Sequence, residues 1–199
     1  PFCMEDNPAW YVPGGNRELV RSAKATPFPD RFMRDLLNIP YTRPVAAKTS
    51  YSFITQSRSW LPSPLGGVLW YSLDTPHFST YAPVYAGVRN VPESWSNFKK
   101  DGFTLDSARW AVLLSSSLAN SNYQRSMPTL KSLRDPLEQK TFHDFFQWEK
   151  EGSRLLLHNS PELQEWMNAI TAKKMEEIHQ TYRSIAQALI MEATIIDLW

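Results

Sequence analysis

The stretch Thr49–Pro92, TSYSFITQSRSWLPSPLGGVLWYSLDTPHFSTYAPVYAGVRNVP, decides the fold. Tyr51, Phe53 and Thr55 alternate with Ser52, Ile54 and Gln56, the period of two that marks a strand. Pro62, Pro64, Gly66 and Gly67 then make a turn. Val68 to Leu73 (VLWYSL) is a continuous apolar and aromatic run, the pattern of a strand buried on both faces. Asp74-Thr75-Pro76 turns the chain again, and Thr80 to Ala86 (TYAPVYA) forms a third strand. Pro83 lacks a backbone donor and should remove one ladder bond, which places this strand at a sheet edge or on a bulge.

Downstream of this block the pattern becomes helical. Asp106 reads as the N-cap of a helix through about Asn122. Asp135-Pro136 repeats the cap-then-proline start for a second helix running to about His158. Asn159-Ser160-Pro161-Glu162 does so again for a last helix from Pro161 to about Ile196. Its apolar positions Leu163, Trp166, Met167, Ile170, Met175, Ile178, Tyr182, Ile185 and Leu189 keep a three-four spacing. A helix of that length spans roughly 50 Å. Its stripe needs a long partner, and the helix from Asp135, joined by a short turn, is the nearest antiparallel candidate.

Upstream, residues 1–48 carry Pro8, Pro13, Pro27, Pro29, Pro40 and Pro44. Proline removes donors and restricts its neighbours, so this part reads as an extended connecting segment, with one or two helical turns at Arg31–Leu37. Residues 49–199 read as the sheet-and-helix portion of one domain. The class is α+β, with antiparallel strands in 49–91 and long helices in 106–196. Three strands cannot close a sheet around so many helices. The pattern leaves open a self-sufficient domain with a small sheet, or a share of a larger sheet whose other strands lie elsewhere.

The chain has 199 residues, enough for one domain with a sizeable core. Its 42% apolar and 21% charged residues are ordinary for a globular protein. Eight Trp, eight Tyr and ten Phe promise a wide aromatic interior. A net charge of +1 provides no global field for nucleic acid or anionic lipid, and no basic patch appears. Apolar stretches fall short of the roughly 18 residues that would span a bilayer. The compartment stays open between lysosomal or secreted and cytoplasmic.

Cys3 is the only thiol. Exposing its amine would create an N-terminal nucleophile, but MEDNPAWYVPGG after it does not read as the buried strand such a residue needs. The histidines His77, His143, His158 and His179 lie far apart, with no spacing for a metal site. His158, near a helix C-terminus, complements the dipole. Gly66-Gly67 opens a strand and lacks the Lys-Ser/Thr of a phosphate loop. Glu149 with Glu151, and Glu176 with Glu177, read as solvated helix-face charges. Phe142, Phe145, Phe146 and Trp148 read as core packing. Arg58 ends the first strand, where it either orients a substrate carboxylate or sits in solvent. Thr49 and Ser50 open the same strand and carry the same two readings.

The stretches RPVAAKTSYSFITQSRSWLPSPLGGVLWYSLDTPHFSTYAPVYAGVRNVPESW and FTLDSARWAVLLSSSLANSNY, with PLEQKTFHDFFQWEKEGSRLL following in the expected place, resemble the C-terminal half of the C69 dipeptidases, the group of dipeptidase A and the secernins. The resemblance runs from about Arg43 to the C-terminus. It implies the four-layer αββα fold of N-terminal nucleophile hydrolases and hydrolysis of dipeptides or short amides. It also implies a nucleophilic cysteine, freed by processing and carried upstream of this chain. Cys3 does not stand in the family's N-terminal pattern, so no catalytic residue, metal or cofactor is expected here. The expected partners are the N-terminal subunit of the same precursor and a dipeptide or short amide substrate. A homo-oligomer of the processed heterodimer fits the same picture. Arg58, Thr49 and Ser50 are the residues expected to face the cleft. A secernin-like protein acting through partners rather than peptidase activity is the alternative. A stand-alone helical interaction domain is a third reading, and it predicts a chain soluble and monomeric alone, whereas the subunit reading predicts an exposed sheet edge and apolar face that need a partner.

Overall fold

The computed structural model describes residues 49–158 and 161–196. The proline-rich segment 1–48, with Cys3 and the turns at Arg31–Leu37, lies outside the described residues. The elements run β1 (Tyr51–Ser57), β2 (Gly67–Leu73), β3 (Ala82–Tyr85), α1 (Glu93–Ser96), α2 (Ala108–Ser121), α3 (Tyr123–Leu157) and α4 (Leu163–Ile196). The class is α+β: one antiparallel sheet in the order β1-β2-β3, joined to long helices.

The β1–β2 connection is tight. The Arg58 amide donates to the Gly66 carbonyl at 2.8 Å, and the Leu65 and Gly66 amides donate to the Pro62 carbonyl at 2.9 and 3.0 Å. A side chain at Gly66 would put its Cβ 2.8 Å from the Leu61 carbonyl oxygen, so only glycine fits there.

Hydrogen-bonded and non-bonded pairs alternate along an antiparallel ladder. The Asp74 amide bonds the Ser50 carbonyl, and the Arg58 amide bonds the Gly66 carbonyl. With the register Tyr51↔Leu73 to Ser57↔Gly67, the even-numbered residues of β1 therefore turn their backbone groups toward β2. On the far side, the Ala86 amide bonds the Gly67 carbonyl at 2.9 Å, so Ala82 and Val84 bond β2 while Pro83 and Tyr85 point outward. Pro83 sits on an edge strand, as expected. It removes no ladder bond, because its missing N–H lies on the outer side.

Two apolar clusters hold the fold. In one, Val68 and Tyr85 of the sheet meet Phe145 and Leu155 of α3 and Leu163 and Met167 of α4. In the other, Leu73, Phe78 and Ala82 meet Ala111 and Val112 of α2, Leu130 of α3 and Ile178, Tyr182 and Ile185 of α4. The α4 stripe thus divides between two partners, α2 and α3, rather than lying along one. The Tyr182 hydroxyl donates to the Phe78 carbonyl at 2.8 Å inside the second cluster.

Several expectations are corrected. Asp135-Pro136 does not start a helix: α3 runs unbroken from Tyr123 to Leu157 through Pro128 and Pro136. Each proline forfeits one helical bond. The buried side chains Met127, Leu130 and Leu137 carry the helix across both sites. Asp106 does not cap α2. The N-cap is Ser107, with no side-chain capping bond, and Asp106 instead accepts from Thr104 Oγ1 at 3.2 Å. The last helix begins at Leu163, two residues after Pro161. β2 is buried at Val68, Ser72 and Leu73 but only partly covered at Leu69, Trp70 and Tyr71. β1 is open on both faces: Phe53 is 57% exposed on one and Ile54 55% on the other. Of the aromatic run, Phe145 is buried, whereas Phe142 and Phe146 are exposed.

Candidate functional site

The two ends of β1 carry the polar chemistry, and the cleft candidates fall on different ends. Thr49 and Ser50 lie at the start of the strand and Arg58 just past its finish. Arg58 stands eight positions along the extended chain from Ser50, roughly 26 Å away. The structure therefore keeps Thr49 and Ser50 together and Arg58 apart from them.

At the first end, β2 runs out into the turn at Asp74. This residue has φ 64°, the only non-glycine with a left-handed backbone among the described residues. Such a conformation costs free energy and persists only where the surroundings fix it. Here they do. The Asp74 amide donates to the Ser50 carbonyl at 3.0 Å, and Arg109 Nη1 of α2 donates to the same carbonyl at 2.8 Å. Below the turn, the Ser79 hydroxyl donates to the Thr75 carbonyl at 2.9 Å and lies 2.6 Å from Ser72 Oγ. Burial pushes the Asp74 carboxyl above the ordinary carboxylate range, while the Ser116 hydroxyl, the Thr75 amide and Arg109 pull it back. The Arg109 guanidinium also stacks over the Phe98 ring, 5.0 Å from its centroid.

At the other end, Arg58 is buried, with 5% of its side chain exposed. Its Nη1 donates to Glu149 Oε2 of α3 and its Nη2 to the Leu65 carbonyl at 2.6 Å. Glu149 Oε1 accepts from the Tyr85 hydroxyl at 2.8 Å. Burial first, and then this bond to a carboxylate, drive the Tyr85 phenol well above its usual range. Glu149 is thus not a solvated face charge but the hub joining the β1–β2 turn, β3 and α3. Glu151 is half-exposed and pairs with Arg154 at 2.6 Å.

The histidines are scattered here too. His77 Nε2 meets the Tyr123 hydroxyl at 2.7 Å, His179 Nε2 donates to the Leu105 carbonyl at 2.7 Å, His158 caps α3, and His143 is exposed. Among the described residues no three His, Cys, Asp or Glu side chains come together as a metal site. No described helix is long and apolar enough to cross a membrane.

Sequence reasoning passed over Arg109, read Asp74 only as a turn residue and took Glu149 for a solvated face charge. Asp74-Thr75-Pro76 is legible as a turn, but nothing local reveals a buried carboxyl. Arg109 lies 59 positions from Ser50, and Glu149 lies 91 from Arg58, so only the fold joins them. Chemically, the first end offers a fixed strand start, an arginine and a carboxyl of raised proton affinity beside exposed Ser50. That set can position a polar or charged group.

The model of peptidase family C69 matches residues 29–135, more than half of the chain. The match spans the whole sheet and both Ser50 and Arg58. No curated protein matches the chain. The residues matched and the sheet they build agree, and the chain belongs to peptidase family C69, so that its general activity is that of a peptidase.

Proposed function

We propose that this chain is the C-terminal part of a cysteine-dependent dipeptidase of the N-terminal nucleophile type, working with an upstream part of the same precursor. The observation that carries the proposal is the open strand β1, exposed on both faces in a sheet whose other strands are buried or partly covered. In the proposed enzyme the sheet continues past β1 and a second sheet lies against the Tyr51–Phe53 face, giving four layers, αββα. The upstream part brings the cysteine at its own free N-terminus.

The chemistry then follows from that residue. Its α-amino group takes the thiol proton, and the thiolate attacks the amide carbon of a dipeptide or short amide. The C–N bond breaks as the proton passes to the leaving amine. Water, deprotonated by the same amine, hydrolyses the thioester and frees the thiol. This chain supplies position rather than attack. Thr49 and Ser50 face the cleft from the end of β1 that Asp74 and Arg109 hold in place. Arg58, occupied by Glu149, contributes to the site by fixing the far turn.

Intact mass and N-terminal sequencing of whatever co-purifies with the chain under native conditions test the proposal. A second chain beginning with Cys, and dipeptide hydrolysis abolished by iodoacetamide, are the expected results. A folded, monodisperse chain with no partner would overturn it. A partner whose N-terminus is not cysteine, with no hydrolysis, would favour the secernin-like alternative of action through binding.

A further inference from the structure

One buried histidine faces two acceptors. His179 of α4 is 2% exposed. Its Nε2 lies 2.7 Å from the Leu105 carbonyl oxygen and its Nδ1 3.3 Å from Glu176 Oε1. Burial would raise the Glu176 carboxyl, but the bonds from Gln180, Ser94 and His179 outweigh it and hold the group below the ordinary carboxylate range. Glu176 is therefore ionised and only accepts. A neutral imidazole has one N–H and serves one of these oxygens, whereas the imidazolium serves both.

The joint lies on a strap. Residues 93–107, from α1 to the N-cap of α2, are fastened to α4 largely by polar contacts. Ser94 Oγ donates to Glu176 Oε2 at 3.0 Å, Trp95 Nε1 donates to the Met175 carbonyl at 2.9 Å, and Arg183 pairs with Asp106 at 3.5 Å. Of the strap's apolar side chains, Trp95 and Leu105 pack against the core, while Phe98 and Phe103 are exposed. The strap also carries the Phe98 ring, over which lies the Arg109 guanidinium that holds the Ser50 carbonyl. The charged groups at the joint are Glu176 and Arg183 from α4 and Asp106 from the strap, the last two balancing each other. Packed against α4, α2 brings Ala108, Ala111 and Val112 and no charge, and Lys99, Lys100 and Asp101 stand on the exposed part of the strap.

We propose that His179 is the pin of a pH-sensitive latch: as the imidazolium it joins Leu105 of the strap to Glu176 of α4, and on losing one proton it loosens the strap. The proton left behind is contested. On Nδ1 it serves the carboxylate, the stronger acceptor, and leaves a lone pair against the Leu105 carbonyl. On Nε2 it leaves a lone pair against the carboxylate. Closing the strap thus gathers a proton that opening releases, so the strap holds more tightly as the pH falls. The latch is independent of the dipeptidase reading.

NMR of the full-length protein as it purifies, at about pH 5.5 and about pH 8, spans the range in which histidine changes charge and tests this. At the lower pH both ring nitrogens of His179 should carry protons, and at the higher pH only one. The Trp95 indole N–H, corrected for its intrinsic exchange rate, should be protected at least about threefold better at the lower pH. His179→Gln keeps a donor for Leu105 and takes up no proton, so the difference should vanish. Glu176→Gln, at a partly exposed position, leaves the core untouched. Its amide can donate to Nδ1, so the neutral ring keeps its proton on Leu105 and Trp95 should be as protected at the higher pH as at the lower. One ring proton at both pH values, two at both, or Trp95 protection indifferent to pH overturns the latch. So does a Glu176→Gln protein as pH-dependent as the wild type.

Discussion

Glu149 shows how much a single carboxylate can hold. It receives Arg58 from the β1–β2 turn and Tyr85 from β3 while standing on α3. Replacing it leaves a buried guanidinium without its counter-ion. Glu149→Gln should therefore destabilise the fold by about 3 kcal/mol, measured by urea unfolding. Adding Arg58→Met to that variant should recover part of the loss, because the stranded charge is then gone as well. Tyr182 gives a milder case. Its ring is fully buried and its hydroxyl serves the Phe78 carbonyl, so Tyr182→Phe should cost about 1 kcal/mol in the same assay.

Among the elements, the α3–α4 contact carries a charge cluster with a readable pH signature. Lys174 of α4, only 2% exposed, bonds Asp144 of α3 at 2.9 Å and Glu177 at 2.6 Å, and Lys140 bonds the same two carboxylates. Burial alone would raise the Asp144 carboxyl, but the bonds from Lys140 and Lys174 win and hold it down at about 2. The folded value lies below the ordinary 3.8, so the ionised form stabilises the fold above that pH. That contribution should fade as the pH falls through about 2, and Asp144→Asn should flatten this part of a stability-against-pH curve. The strands were legible because alternation and the turn residues Pro62, Gly66 and Pro76 are local signals. The existence of the last helix was legible from its nine apolar positions. The start of α3 was not. Asp135-Pro136 obeys the local rule for a helix start, and packing by Leu130 and Leu137 overrides it. The Asp74–Arg109 end of β1 was hidden for the same reason, since its members are distant in sequence.

For the whole molecule, the asymmetry of the sheet decides behaviour. An open, uncharged, aromatic strand is a template for other strands when its partner is missing. The chain expressed alone should self-associate as its concentration rises, and Phe53→Lys should reduce that association in light scattering with little change in folding. Membership of peptidase family C69 was readable from the strand block itself, and the family match begins at residue 29 and runs through the sheet.

β1 is also clamped at both ends. Asp74 and Arg109 hold the Ser50 carbonyl at one end, and Arg58 is locked to Glu149 and Leu65 at the other. Between those anchors the ladder to β2 alone keeps the strand extended, with no strand on its other side among the described residues. A segment docking there loses its own conformational entropy but imposes almost no further loss on β1. The rail is rigid before anything arrives, so tightness of assembly should be governed by the incoming segment's own readiness to be straight.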